Sequence, residues 1–124
     1  MPVEITRIES GLYLNRWHGQ VTLAEVMQAE QDGLHMLQPD ETRVVLVNDL
    51  SAASKFPMDI KALRRIAETN PHIVALLVVD APSMIRMVGE AQAKSLSWIV
   101  EFHDTLDTAL TRGHEILSSP TPNP

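Results

Sequence analysis

The chain has 124 residues, 44% hydrophobic and 21% charged, which suits one globular core rather than two cores or a disordered coil. It contains no cysteine, which excludes a disulfide scaffold, a thiol nucleophile and a thiolate-bound zinc. A formal net charge of −6 argues against phosphate backbones and anionic lipid, and two Phe, two Trp and one Tyr are too scattered for a base-stacking face.

The opening "MPVEITRIES" lacks a basic segment leading into an apolar one, so no signal peptide is expected. No apolar run reaches the length of a transmembrane segment, and the expected location is cytoplasmic. "VEITRIES" alternates apolar and polar residues, Ser10-Gly11 makes a turn, and "LYLNRWHG" alternates again. Leu12, Leu14 and Arg16 fall on one side of that second run, and Tyr13, Asn15 and Trp17 on the other, so the pair reads as a β-hairpin. Thr22 and Glu25 have the spacing of a capping box. Leu23, Val26, Met27, Leu34 and Leu37 then give the inward stripe of a first helix, which Pro39 stops.

"RVVLVNDL" is apolar without alternation, as a strand covered on both faces is. The loop after it is expected to hold Ser51 and Ser54, which either hydrogen-bond loop backbone or, for Ser54, cap the helix that Pro57 helps to begin. Ile60, Leu63, Ile66 and Ala67 make the stripe of this second helix, and Asn70-Pro71 end it. "HIVALLVVD" is another doubly buried strand. Pro82-Ser83 start a third helix with Met84, Met87, Val88 and Ala91 inward and Ile85 outside, and Gly89 costs it about 1 kcal/mol of propensity. "SWIVEFHD" is the last strand. Asp104 is expected to cap a fourth helix whose stripe is Leu106, Ala109, Leu110, Gly113, Ile116 and Leu117.

The order β-β-α-β-α-β-α-β-α defines an α/β fold, with a mainly parallel central sheet opened by an antiparallel hairpin strand. Residues 1–118 form a single domain, and 119–124, "SSPTPNP" with its leading serine removed, form a flexible tail.

Over residues 3–118 this arrangement resembles the STAS domain family, the fold of bacterial anti-sigma-factor antagonists, and in particular its divergent SpoIIAA-like branch. The resemblance rests on the Gly19-to-Thr22 turn, on "VVLVNDLSAAS" as central strand and loop, and on "VEFHDTLDTAL" as last strand and helix. It implies a regulatory binding domain with no cofactor, acting on a protein partner and possessing a serine switch in an Asp-Ser-Ser-Gly-like helix start. Aligning Asp59 with that Asp puts Ile60 and Lys61 at the serine positions and Ala62 at the glycine, so the usual phosphorylation switch has no hydroxyl at Ile60.

The expected binding set is Asp49, Ser51, Ser54, Lys55, Phe56, Asp59, Lys61, Arg65 and Asp80. Lys55, Lys61, Arg64 and Arg65 concentrate positive charge in an acidic chain, as a docking patch or as an ordinary solvated helix face. Phe56, Pro57 and Met58 add apolar contact or pack under the loop. An anion site at the second helix's start is opposed by Asp59, already at the positive end of the dipole.

Three readings follow. The first is a non-enzymatic, self-associating domain, expected as a homodimer, that engages a protein partner or small ligand through residues 51–65 and the loop after Asp80. The second is a carrier of a small apolar or anionic ligand in a sheet–helix cavity lined by Tyr13, Trp17, Phe56 and Trp98. The third is a Mg²⁺-dependent enzyme using Asp49, Asp80 and Asp104, which end three apolar strands on a shared rim. The five histidines, His18, His35, His72, His103 and His114, form no H-x-H or H-E-x-x-H, and there is no G-x-S-x-G, P-loop or G-x-G-x-x-G.

Overall fold

The structure is a computed structural model that describes residues 3–57, 70–83, 85–87, 90 and 99–119. Among them are five strands, β1 (Val3–Glu9), β2 (Leu12–Gln20), β3 (Val44–Lys55), β4 (Ile73–Val79) and β5 (Ile99–His103), and two helices, α1 (Leu23–Met36) and α2 (Leu106–Ser118). The strands form one sheet in the order β1-β2-β3-β4-β5. β1 pairs antiparallel with β2, and the other neighbours are parallel. The strand order in space repeats the order in sequence, which is what short hairpin and crossover connections produce.

Alternation in β2 separates two cores. Leu12 and Leu14 join Val45, Val47, Ala75, Leu77 and Val79 beneath Ala109 and Ile116 of α2. Trp17 faces the other way, with Val3, Val21, Leu50 and Val78 beneath Val26 and Ala29 of α1. The near-continuous apolar runs of β3 and β4 follow from this, since both faces of these strands are covered. Gly113 lets α2 approach closely: a Cβ there would come within 2.7 Å of a Leu12 methyl and 3.4 Å of Val45.

Helix α1 begins as its sequence dictates. The Thr22 hydroxyl accepts from Glu25 N–H at 3.2 Å, and the Glu25 carboxylate accepts from Thr22 N–H at 2.8 Å. Several side-chain expectations fail. Met27 is exposed, because the buried side of α1 centres on Val26 and Ala29. Met87 is exposed while Ile85 packs with Ala81 and Phe102 against the α1-side core, so the helical turn after Ser83 is rotated from the expected stripe. Met84, Val88, Gly89 and Ala91 lie outside the described residues, as does the second helix of the sequence reading. The cap of α2 is Thr105, not Asp104: the Thr105 hydroxyl accepts from Thr108 N–H at 3.2 Å.

Candidate functional site

Because β2, β3, β4 and β5 run parallel, their C-terminal ends share one rim. β3 overshoots its neighbour there. Its ladder with β4 ends at Asp49–Val79, whereas its ladder with β2 continues to Lys55–Gln20. Ser51 and Ser54 are therefore strand residues and not loop residues, which corrects the expected capping role of Ser54. The reason is β2, whose His18–Gln20 segment supplies a partner for three more pairs. A register shift between Arg16 and His18 reverses which β3 residues face each core, so Leu50 and Ala53 both pack on the α1 side.

The overshooting segment is open. Ser51, Ala52, Ser54 and Lys55 are exposed, and the Lys55 carbonyl accepts from Val21 N–H at 2.9 Å. Phe56 turns under the rim and meets Trp17 edge-on at 5.3 Å between ring centroids. Trp17 is itself fixed, its indole N–H donating to Asn48 Oδ1 at 2.9 Å. Asp59, Lys61 and Arg65 of the expected set lie outside the described residues.

The three strand-end aspartates do not converge. Asp49 is buried, accepts from Ser51 N–H at 3.0 Å and faces Arg16 Nε at 3.7 Å. Asp80 is exposed, sits in the left-handed region at φ 55 and donates its N–H to the His103 carbonyl at 3.0 Å. Asp104 projects into solvent and meets Arg86 at 3.4 Å. The Asp49 and Asp104 carboxylates are committed to local turn or ion-pair chemistry, and among the described residues no three His, Asp or Glu side chains are grouped to hold a metal ion. The Asp49/Asp80/Asp104 metal site is thereby overturned.

Two of the aromatic residues expected to line a ligand cavity are instead packed shut. Tyr13 and Trp17 are each 2% exposed, and their polar atoms are engaged within the fold. Trp98 lies outside the described residues.

The opposite end of the sheet holds a group that sequence reasoning missed. Glu41, in the connection before β3, is buried with 4% of its surface exposed. Its carboxylate accepts from Tyr13 O–H at 2.6 Å, Gly11 N–H at 2.5 Å, Gln38 N–H at 2.7 Å and Arg7 Nε at 3.2 Å. Burial alone would raise its pKa, but these donors outweigh burial and hold it at about 2. Burial and the bond to Glu41 push Tyr13 up to about 12. Arg43 closes the same end, donating to the Ile116 and Ser119 carbonyls at the α2 C-terminus. A signal was available: Tyr13 occupies an inward strand position, and a buried phenol needs an acceptor.

Solved structures share this architecture. A DUF3478-family protein with a SpoIIAA-like fold from Shewanella loihica PV-4 is 12% identical, with a TM-score of 0.64 over 90% of this chain and 91% of its own. The Bacillus cell fate determinant SpoIIAA in its phosphorylated form is 13% identical, with a TM-score of 0.59 over 89% and 97%. The unphosphorylated anti-sigma factor antagonist SpoIIAA is 14% identical, again with a TM-score of 0.59, over 92% and 97%. No family model matches the sequence, and no curated protein does. The chain has the SpoIIAA-like, STAS-type α/β fold expected from its element order.

Proposed function

We propose that this chain is a non-enzymatic recognition domain of STAS type, acting in the cytoplasm, that engages a protein partner or small ligand through its strand C-terminal rim. The contact surface comprises Asp49, Ser51, Ser54, Lys55, Phe56, Asp59, Lys61, Arg65 and Asp80. The observation that carries the reading is the overshoot of β3 beyond β4, which leaves Ser51, Ala52, Ser54 and Lys55 exposed on a segment that, among the described residues, pairs with β2 alone. Asp49 and Phe56 are the supports of that surface, one holding Ser51 N–H and the other packed on Trp17. Among the described residues no helix is long and apolar enough to cross a membrane.

The likeness to an anti-sigma factor antagonist supports a protein partner over a substrate. The sequence departs from that template at the switch: Ile60 and Lys61 replace the serines, so recognition here is not gated by phosphate at those positions. Lys55, Lys61 and Arg65 favour an acidic contact surface on the partner.

The test is quantitative co-purification from the native cell with Lys61→Glu/Arg65→Glu beside the unaltered chain. The expected result is depletion of a specific partner by about tenfold or more with an unchanged melting temperature. Equal recovery from both chains rejects the rim.

A further inference from the structure

The outer edge of the sheet at β5 borders a groove that the rim reading does not use. Strand β5 is the last in the sheet order, so among the described residues no strand pairs with its far side. Ile99, Glu101 and His103 stand in register with Ala75, Leu77 and Val79, and so share the face covered by α2. Yet α2 packs chiefly over β3 and β4, leaving that face of β5 partly uncovered. An open groove of about 370 Å³ results, lined by His103 and by Asp107, Thr108, Thr111, Arg112 and Glu115 of α2.

The charges around this groove are held in fixed positions. Glu101 accepts from Arg112 Nε at 3.0 and 3.1 Å and lies 3.1 Å from His103 Nε2, while Arg112 also approaches Glu115 at 3.9 Å. Two carboxylates, Glu101 and Glu115, thus share one guanidinium, and a third, Asp107, lines the same groove. An unpaired strand edge flanked by a helix-walled groove accepts an extended segment by main-chain pairing, with alternate side chains directed into the groove. At the other edge, β1 carries a register shift between Arg7 and Glu9, a feature that disrupts strand addition.

We infer that the β5–α2 groove is a docking site for an extended segment of a protein partner bearing lysine or arginine at alternate positions. Asp107 and Glu115 on the groove wall select basic side chains, and the edge of β5, which pairs with no further strand among the described residues, supplies backbone donors and acceptors. A second copy of this chain is disfavoured as occupant, since it would set Glu101, Asp107 and Glu115 against the same acids in a chain of net charge −6.

The probe is a capped peptide of about seven alternating valine and lysine residues, the length of an ordinary strand. Binding to the full chain is followed by amide NMR and hydrogen exchange. The expected result is a Kd below about 1 mM, protection at Ile99–His103, and at least tenfold weaker binding when glutamate replaces lysine in the peptide. N-methylation of alternate peptide amides should abolish binding, because strand pairing then loses its donors. Asp107→Asn/Glu115→Gln, with an unchanged melting curve, should weaken it about tenfold, whereas Lys55→Glu on the rim leaves it unchanged. Absence of binding at millimolar peptide, equal binding of the glutamate peptide, protection at β1 instead, or a dimer that buries Glu101 would each overturn the inference. Loss of the rim contact with retention of peptide binding would separate the two surfaces.

Discussion

The two ends of the sheet are built on opposite principles. Where β2 and β3 begin, a single buried carboxylate, Glu41, gathers donors from β1, from the hairpin turn, from β2 and from the α1–β3 connection. Where β3 ends, hydroxyl and ammonium groups stand exposed and, among the described residues, the strand has a paired neighbour on one side only. A buried ion with every lone pair engaged fixes one geometry, because each displacement leaves a desolvated group without a partner. Exposed serines impose no such cost and leave a surface free to be matched to something else. Polar residues thus serve rigidity at one end and availability at the other.

The sharpest way to break this contrast is Glu41→Ala. It leaves the Gly11 and Gln38 N–H groups without their acceptor and the Tyr13 hydroxyl with only the Met36 carbonyl at 3.3 Å, and should lower unfolding free energy in urea by about 3–5 kcal/mol. A loss below about 1 kcal/mol would mean that the end is not sealed by this residue. Gly11→Ala acts on the same end through the backbone. Gly11 has φ +83, and a Cβ would lie 2.6 Å from the Arg43 carbonyl oxygen. The expected destabilisation is about 1–3 kcal/mol, read as a lower urea midpoint at constant slope.

Titration sharpens the comparison without mutation. Glu41 binds its proton less readily in the folded chain, so its contribution is complete above about 4.5 and is lost as pH falls toward about 2. Tyr13 holds its proton more tightly when folded, so its contribution is complete below about 10 and is lost as pH rises toward about 12. In the Glu41→Gln chain, the pH dependence of the urea midpoint in the acid window should flatten. The smallest effect belongs to the rim: Ser51→Ala and Ser54→Ala should each change stability by less than about 0.5 kcal/mol. A larger loss at either serine would mean that the rim is itself a structural element.

Regular periodicity made the sheet legible. The alternation from Leu12 to Trp17 put Leu12 and Leu14 opposite Trp17, as the structure has them, although the chain length suggested one core where the sheet carries a cluster on each face; the Thr22–Glu25 spacing fixed the start of α1, because both signals lie within a few residues of each other. Glu41 was illegible for the converse reason. It stands between Asp40 and Thr42 in what reads as a solvated turn, while Gly11 and Tyr13 are 30 and 28 positions away. At the rim, Asn48 and Asp49 read as the end of β3, because turn-forming residues there resemble a boundary. Tertiary pairing with the tail of β2 carried the strand six residues past Asp49. Asp104 and Thr105 are both competent caps, and only the backbone path chooses between them. The exchange of Ile85 for Met87 reflects a helical phase that the stripe alone left ambiguous.

Gly113 links the interior to the opposite surface of α2. With no side chain of its own, it gives Leu12 a notch, and the helix axis comes down onto the sheet at that point. Arg112, the very next residue toward the helix start, reaches outward to Glu101. A methyl at Gly113 would act as a shim: it would raise α2 at its midpoint and lengthen the reach demanded of the adjacent guanidinium. Spectroscopy on Gly113→Ala would therefore register a perturbation at Glu101 and His103, on the outer strand, from a change made entirely indoors.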